Sequence, residues 1–184
     1  MVDKVVKSMN PNGEIVDEIY VYSDGALTSY QGKPGIDLSQ TNLTVGNAQI
    51  PLTKLEKGDI VRLGSTIQNE IGGIQMVYDC SEENGYYHTA NPYSLLASYK
   101  FCFGTVTKID GDIIEVYFDK SASYEYYNIN GTKVVSYNNE NGENKIRTGT
   151  EDSFIIKDEE HFSTAASKVF IFSSGSVPKC IYLY

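Results

Sequence analysis

The same β-rich order of motifs occurs twice along this chain, and that repetition limits the possible folds more than any single residue does. The first run sets the turn Asn10-Pro-Asn-Gly13 between Val5-Val6 and Ile15-Val16, then continues through Ile19-Tyr-Val-Tyr22. The second sets Asp110-Gly111 between Gly104-Thr-Val-Thr-Lys-Ile109 and Ile113-Ile-Glu-Val-Tyr-Phe118. Each then has a polar stretch and a second Gly/Asn turn, Val45-Gly-Asn47 before Ile50 and Asn128-Ile-Asn-Gly131 before Lys133-Val-Val135. Each closes on a strand pair: Asp59–Leu63 with Ile74–Tyr78, and Lys168–Phe172 with Cys180–Tyr184. Asn-Gly and Asp-Gly supply the positive φ angles of tight hairpins, and a repeat this long predicts two copies of one small domain. The expected fold is all-β: two tandem, barrel-like (OB/SH3-like) domains related by internal duplication, with little helix. Copy one spans residues 1–80, a partly helical connector 81–100, and copy two 101–184.

Finer elements follow from local chemistry. Residues 23–40, with Gly25, Gly32, Pro34 and Gly35, read as a long loop, and 42–51 as a short hairpin. Leu52–Lys57 reads as one helical turn stopped by Gly58. Short helices are expected at Asn91–Tyr99, where Pro92 suits a first helical position, and at His161–Ala166. Ser136–Thr150 reads as a polar loop. Ile60, Val61, Val77, Ile113, Val116, Val169, Ile171 and Ile181 are the expected core, since each lies in an apolar strand.

The 184 residues are 41% hydrophobic, mostly Val, Ile, Tyr and Phe, enough for a core and suited to pleated sheets. A net charge of −9, with no cluster of bases, excludes a general nucleic-acid binder, because phosphate backbones require concentrated Lys and Arg. No apolar run approaches the roughly 18–20 residues of a spanning helix, so no membrane insertion is expected. Met1–Lys7 lacks the pattern of an export signal. The location expected is extracellular or at the cell surface as part of a larger protein, or cytoplasmic if the chain is complete. Cys80, Cys102 and Cys180 have no metal-type spacing. Cys80 and Cys102 flank the connector and are the best placed to bridge, although reduced thiols are favoured.

Leu52-Thr-Lys-Leu-Glu-Lys-Gly-Asp-Ile-Val-Arg-Leu63 and Gly104-Thr-Val-Thr-Lys-Ile-Asp-Gly-Asp-Ile-Ile-Glu-Val116 resemble the accessory β-barrel modules of Gram-positive surface proteins, including those with S-layer homology regions. The resemblance covers about a third of each half and rests on a Gly-Asp before a strand and a Gly-x-Val-x-x-Ile hairpin. It implies a repeated, exported, non-catalytic module and carries over no functional residues.

For chemistry, Cys80 and Cys102 with His88 are the only catalytic candidates, since an imidazole near a thiol lowers its pKa and takes its proton. No nucleophile elbow or phosphate loop is present. Asn10–Glu14 and Asp110–Asp112 lack the later ligands of a calcium loop, and two distant histidines do not make a zinc site; no metal or cofactor is expected. The tyrosines 117, 124, 126, 127 and 137 form the most suggestive surface feature. Alternation places Tyr124 and Tyr126 on one strand face and Tyr127 on the other, either packing across strands or binding a ligand. The expected function is therefore a non-enzymatic structural or binding module of a bacterial surface or secreted protein, with a cell-wall glycan or another surface protein as partner. Two alternatives stand beside it: an enzyme of unrecognised type using a Cys/His pair, and an intracellular scaffold or phage structural component.

Overall fold

A computed structural model describes residues 1–41, 52–65, 70–81, 99–118, 121–140, 142–149, 154, 167–174 and 177–184. Within them every regular element is a strand and none is a helix. The chain divides into two compact units, Met1–Thr89 and Ala90–Tyr184, with the boundary inside the predicted connector.

In the first unit, β1 (Val2–Met9), β2 (Ile15–Ser23) and β3 (Ala26–Gln31) form an antiparallel meander in the order β1-β2-β3. The Asn10 side chain closes the first hairpin, its Oδ1 accepting from the amides of Asn12 (3.0 Å) and Glu14 (2.9 Å). β4 (Ile60–Ser65) and β5 (Ile71–Tyr78) form a separate antiparallel pair. Two seams join these sheets. The Val2 amide donates to the Asp59 carbonyl (2.7 Å), and the Gly58 amide to that of Val2 (3.0 Å). Gly32 bridges Ile71 in parallel. Between the sheets lie Val2, Ile19, Val21, Leu38, Leu55, Ile71, Ile74 and Met76, all buried.

Local chemistry explains the first seam. Gly58 sits at φ +105°, a left-handed value open to glycine, so the chain can turn straight into Asp59. The Asp59 carboxylate is buried and accepts from the amides of Glu56 (2.7 Å) and Cys80 (3.0 Å). It thereby ties the start of β4 to the end of β5. The Gly-Asp motif is a structural clamp. Asp17 does a similar job on the hairpin: it takes the Leu38 amide (2.9 Å) and pairs with Lys7 (2.6 Å).

The second unit is one seven-stranded sheet, built from β6 (Tyr99–Asp110), β7 (Ile113–Phe118), β8 (Ser123–Asn128), β9 (Lys133–Glu140), β10 (Glu143–Gly149), β11 (Lys168–Ser174) and β12 (Val177–Leu183). Their order is β10-β9-β12-β11-β6-β7-β8. All pairings are antiparallel except β12 with β9. β8 curls back to contact β12, enclosing a core that includes Val106, Ile114, Val116, Tyr127, Val169, Ile171, Ile181 and Leu183. Gly104 is obligatory here: a Cβ on it would lie 2.5 Å from the Tyr117 carbonyl and 2.7 Å from Val116.

Several expectations are corrected. Neither unit closes into a barrel: the seams of the first are one or two residues long, and in the second β9 takes the free edge of β12 and leaves β8 at the sheet's end. Within the supposed loop 23–40 lies β3, and the supposed polar loop after Ser136 is largely the β9–β10 hairpin. Leu52–Lys57 is not helical; Lys54 bridges Gln40 instead, and only Lys57-Gly58 turns. Ile60, Val77, Val116, Val169, Ile171 and Ile181 are buried as expected. Val61 is half-buried, and Ile113, directly after a two-residue turn, is exposed. The hairpin at 42–51, most of the predicted helix at Asn91–Tyr99 and all of that at His161–Ala166 lie outside the described residues.

Candidate functional site

Alternation along β7 and β8 turns Ile114, Val116 and Tyr127 to the core and Glu115, Tyr117, Tyr124 and Tyr126 outward. Register then matches the outward residues in pairs, Tyr117 with Tyr124 and Glu115 with Tyr126. The first pair is in ring contact, with centroids 4.9 Å apart and planes tilted by 48°. In the second, the Tyr126 hydroxyl donates to Glu115 Oε2 at 2.6 Å. The other carboxylate oxygen, Oε1, accepts from Thr107 Oγ1 at 2.7 Å. Thr107 is in place because the β6–β7 register slips by one residue between Val106 and Lys108, as at a β-bulge, which brings two residues of one strand opposite one of the other.

These bonds set the electrostatics. The Tyr126 and Thr107 hydroxyls hold the Glu115 carboxyl below its ordinary range, with Lys108 adding to the effect, and Glu115 in turn raises the Tyr126 phenol. Glu115 is thus a fixed, ionised acceptor among tyrosines that remain largely in solvent: Tyr124 is 57% and Tyr126 62% exposed.

The first unit has a face at the same register. β1 and β2 also slip by one residue, between Val2 and Lys4, and Lys4 pairs with Tyr20. The Lys4 ammonium lies 4.9 Å from the centre of the Tyr20 ring, and Tyr22 pairs with the exposed Leu27 on β3. Asp3, at the slip, is tied to Lys57 at 2.8 Å.

Of the five tyrosines singled out from the sequence, Tyr117, Tyr124 and Tyr126 share this outer face. Tyr127 points inward, buried edge-on to Phe118 (6.4 Å), with its hydroxyl on Glu125 at 2.7 Å. Tyr137 lies on β9 against the ring of Tyr184 (5.8 Å). Sequence reasoning missed Glu115 and Thr107, because neither is legible until strand register places them beside Tyr126. Cys80 and Cys180 are present as thiols. The Cys80 thiol donates to the Lys57 carbonyl (3.4 Å), and its backbone amide donates to Asp59. The Cys102 backbone is in β6, while its side chain and His88 lie outside the described residues. Among the described residues, no group of three His, Cys, Asp or Glu side chains could hold a metal ion. No family model, curated protein or solved structure matches the chain.

Proposed function

We propose that the chain is a non-enzymatic glycan-binding module and that the outer face of β7 and β8 takes the ligand. The observation that carries this reading is the Glu115 carboxylate, fixed by Tyr126 and Thr107, on the same face as the contacting rings of Tyr117 and Tyr124. Tyrosine offers an apolar ring to the C–H face of a sugar, a polar tip to its hydroxyls, and low entropy of ordering. An ionised carboxylate accepts hydroxyl donors and repels anions. Its two short hydrogen bonds and the nearby Lys108 weaken its pull on a cationic peptide, which favours a neutral polyol. A setting in a bacterial surface or secreted protein, in contact with cell-wall glycan, fits this chemistry.

The two units fit copies of a single five-stranded, partly open OB-like plan, to which the second adds the β9–β10 hairpin. Support comes from the register: Val2↔Val21 and Val5↔Ile19 flank the slip in β1, as Val106↔Val116 and Ile109↔Ile114 flank that in β6. The seam bond from Val2 to the Asp59 carbonyl has its counterpart from Val106 to that of Ser167 (3.0 Å). Tyr30 and Tyr127 both pack on the cores from the third strand, and both units end on an antiparallel pair.

Affinity electrophoresis in gels containing soluble neutral glycans, N-acetylglucosamine oligomers among them, tests the function. The protein should be retarded, and Tyr124→Ala with Tyr126→Ala should weaken binding about tenfold or more, equivalent to about 1.4 kcal/mol. Migration unaffected by every neutral glycan, or a double variant that binds like the parent, would overturn the reading.

A further inference from the structure

We infer that the first unit carries a second glycan face, made by Tyr20, Tyr22 and Leu27 and partly closed by Lys4. This rests on the glycan reading above. The position is the argument. Tyr20 and Tyr22 stand on β2 where Glu115 and Tyr117 stand on β7, counted from the same register slip, and Leu27 and Ser29 stand on β3 where Tyr124 and Tyr126 stand on β8. Tyr22–Leu27 thus repeats the site of the Tyr117–Tyr124 ring pair.

Charge selects the same class of occupant. Lys108 acts on Glu115 on the second unit's face; on the first, Lys4 and Glu18 stand on one face of the β1–β2 pair, opposite in charge, and Asp3 is paired with Lys57. Neither face favours a strongly charged ligand. What differs is access. In the second unit the cation stands beside a carboxylate and leaves the rings open. In the first, the Lys4 ammonium lies over Tyr20, on the surface a sugar would use. A ligand must displace it, and an exposed cation–π contact opposes that displacement modestly. The first face is therefore a weaker site of the same kind, and the full chain is bivalent with unequal affinities.

Isothermal titration of the full chain with chitohexaose tests this. The parent should show one tighter and one weaker site. Lys4→Met keeps the aliphatic stem but removes the charge, and should strengthen the weaker site about twofold to fivefold, the equivalent of one exposed cation–π contact. Lys4→Arg, which retains the stacking cation, should leave it weak. Leu27→Ser, at an exposed position, should weaken it further, while Tyr124→Ala should affect only the tighter site. A single site in both the parent and Lys4→Met would overturn the face on the first unit and leave that on the second unit standing. No heat in any variant, together with unretarded migration in every neutral glycan, would overturn the glycan reading itself.

Discussion

In the first unit the ammonium of Lys4 covers Tyr20; in the second, at the same slip of register, Lys108 stands by Glu115 and leaves Tyr124 and Tyr126 in solvent. Inward, the contrast vanishes: Val2, Ile19 and Val21 face one core as Val106, Ile114 and Val116 face the other. The comparison separates scaffold from decoration. Inward positions must be apolar to fill a small core, so they coincide. Outward positions carry no such demand, so they are where recognition can differ. The hairpins diverge too: β1–β2 runs four pairs further beyond Val5↔Ile19, whereas β6–β7 turns one pair beyond Ile109↔Ile114.

The largest effect should come from the two cores. Ile74 and Ile181 are both fully buried and sit opposite Leu63 and Ile171 in their hairpins. Ile74→Ala and Ile181→Ala should each cost about 2–5 kcal/mol through lost transfer energy plus a cavity. Urea unfolding measures both; a near-neutral result for one alone would break the equivalence of the cores.

A smaller effect should come from the extended hairpin. Asp17 is buried and accepts the Leu38 amide. Asp17→Ala should cost about 1–3 kcal/mol by orphaning that amide. Its partner Lys7 is well exposed, so Lys7→Ala should cost less, about 0–1 kcal/mol. Equal costs would mean that the ion pair rather than the backbone bond holds the hairpin.

The smallest effect is a pH slope. Burial holds the Asp59 carboxyl above its ordinary range, against the pull of the Glu56 and Cys80 amides, whereas Ser167, at the matching seam, does not titrate. A carboxyl raised in the folded state binds its proton more tightly there than in the unfolded chain. Its contribution to stability is present below the unfolded value, about 3.9, and is lost as pH rises through the folded value. Urea midpoints taken upward from about pH 4 should show this loss in the parent and a flatter slope in Asp59→Asn. Unchanged slopes would remove Asp59 as the cause.

Much of the scaffold was legible because apolar alternation and Gly turns coincide: β1–β2, β6–β7 and both terminal pairs stand where Asn10–Gly13, Asp110-Gly111 and the Val/Ile runs put them. What was not legible has a common cause. β3 reads Ala-Leu-Thr-Ser-Tyr-Gln and is exposed or half-buried throughout, so no apolar period marks it. β10 carries Glu, Asn, Lys and Arg as a sheet edge, where charge guards against pairing with other chains, and β9 has only a short apolar run before its polar end. The tyrosines could be divided by parity alone. Glu115 and Thr107 could not be joined to them, because their meeting depends on a register slip that the local sequence does not announce.

The central claim is that recognition resides on the outward tyrosine faces and the interior of each unit is scaffold. Its most direct test is a titration of the isotopically labelled full chain with chitohexaose, followed through backbone amide signals. The account predicts that the first signals to move are those of Thr107, Glu115, Tyr117, Tyr124 and Tyr126, followed at higher ligand by Lys4, Tyr20, Tyr22 and Leu27, with Ile19 and Ile181 still. Saturable shifts confined to other surfaces, or no shifts at any ligand concentration, would contradict it.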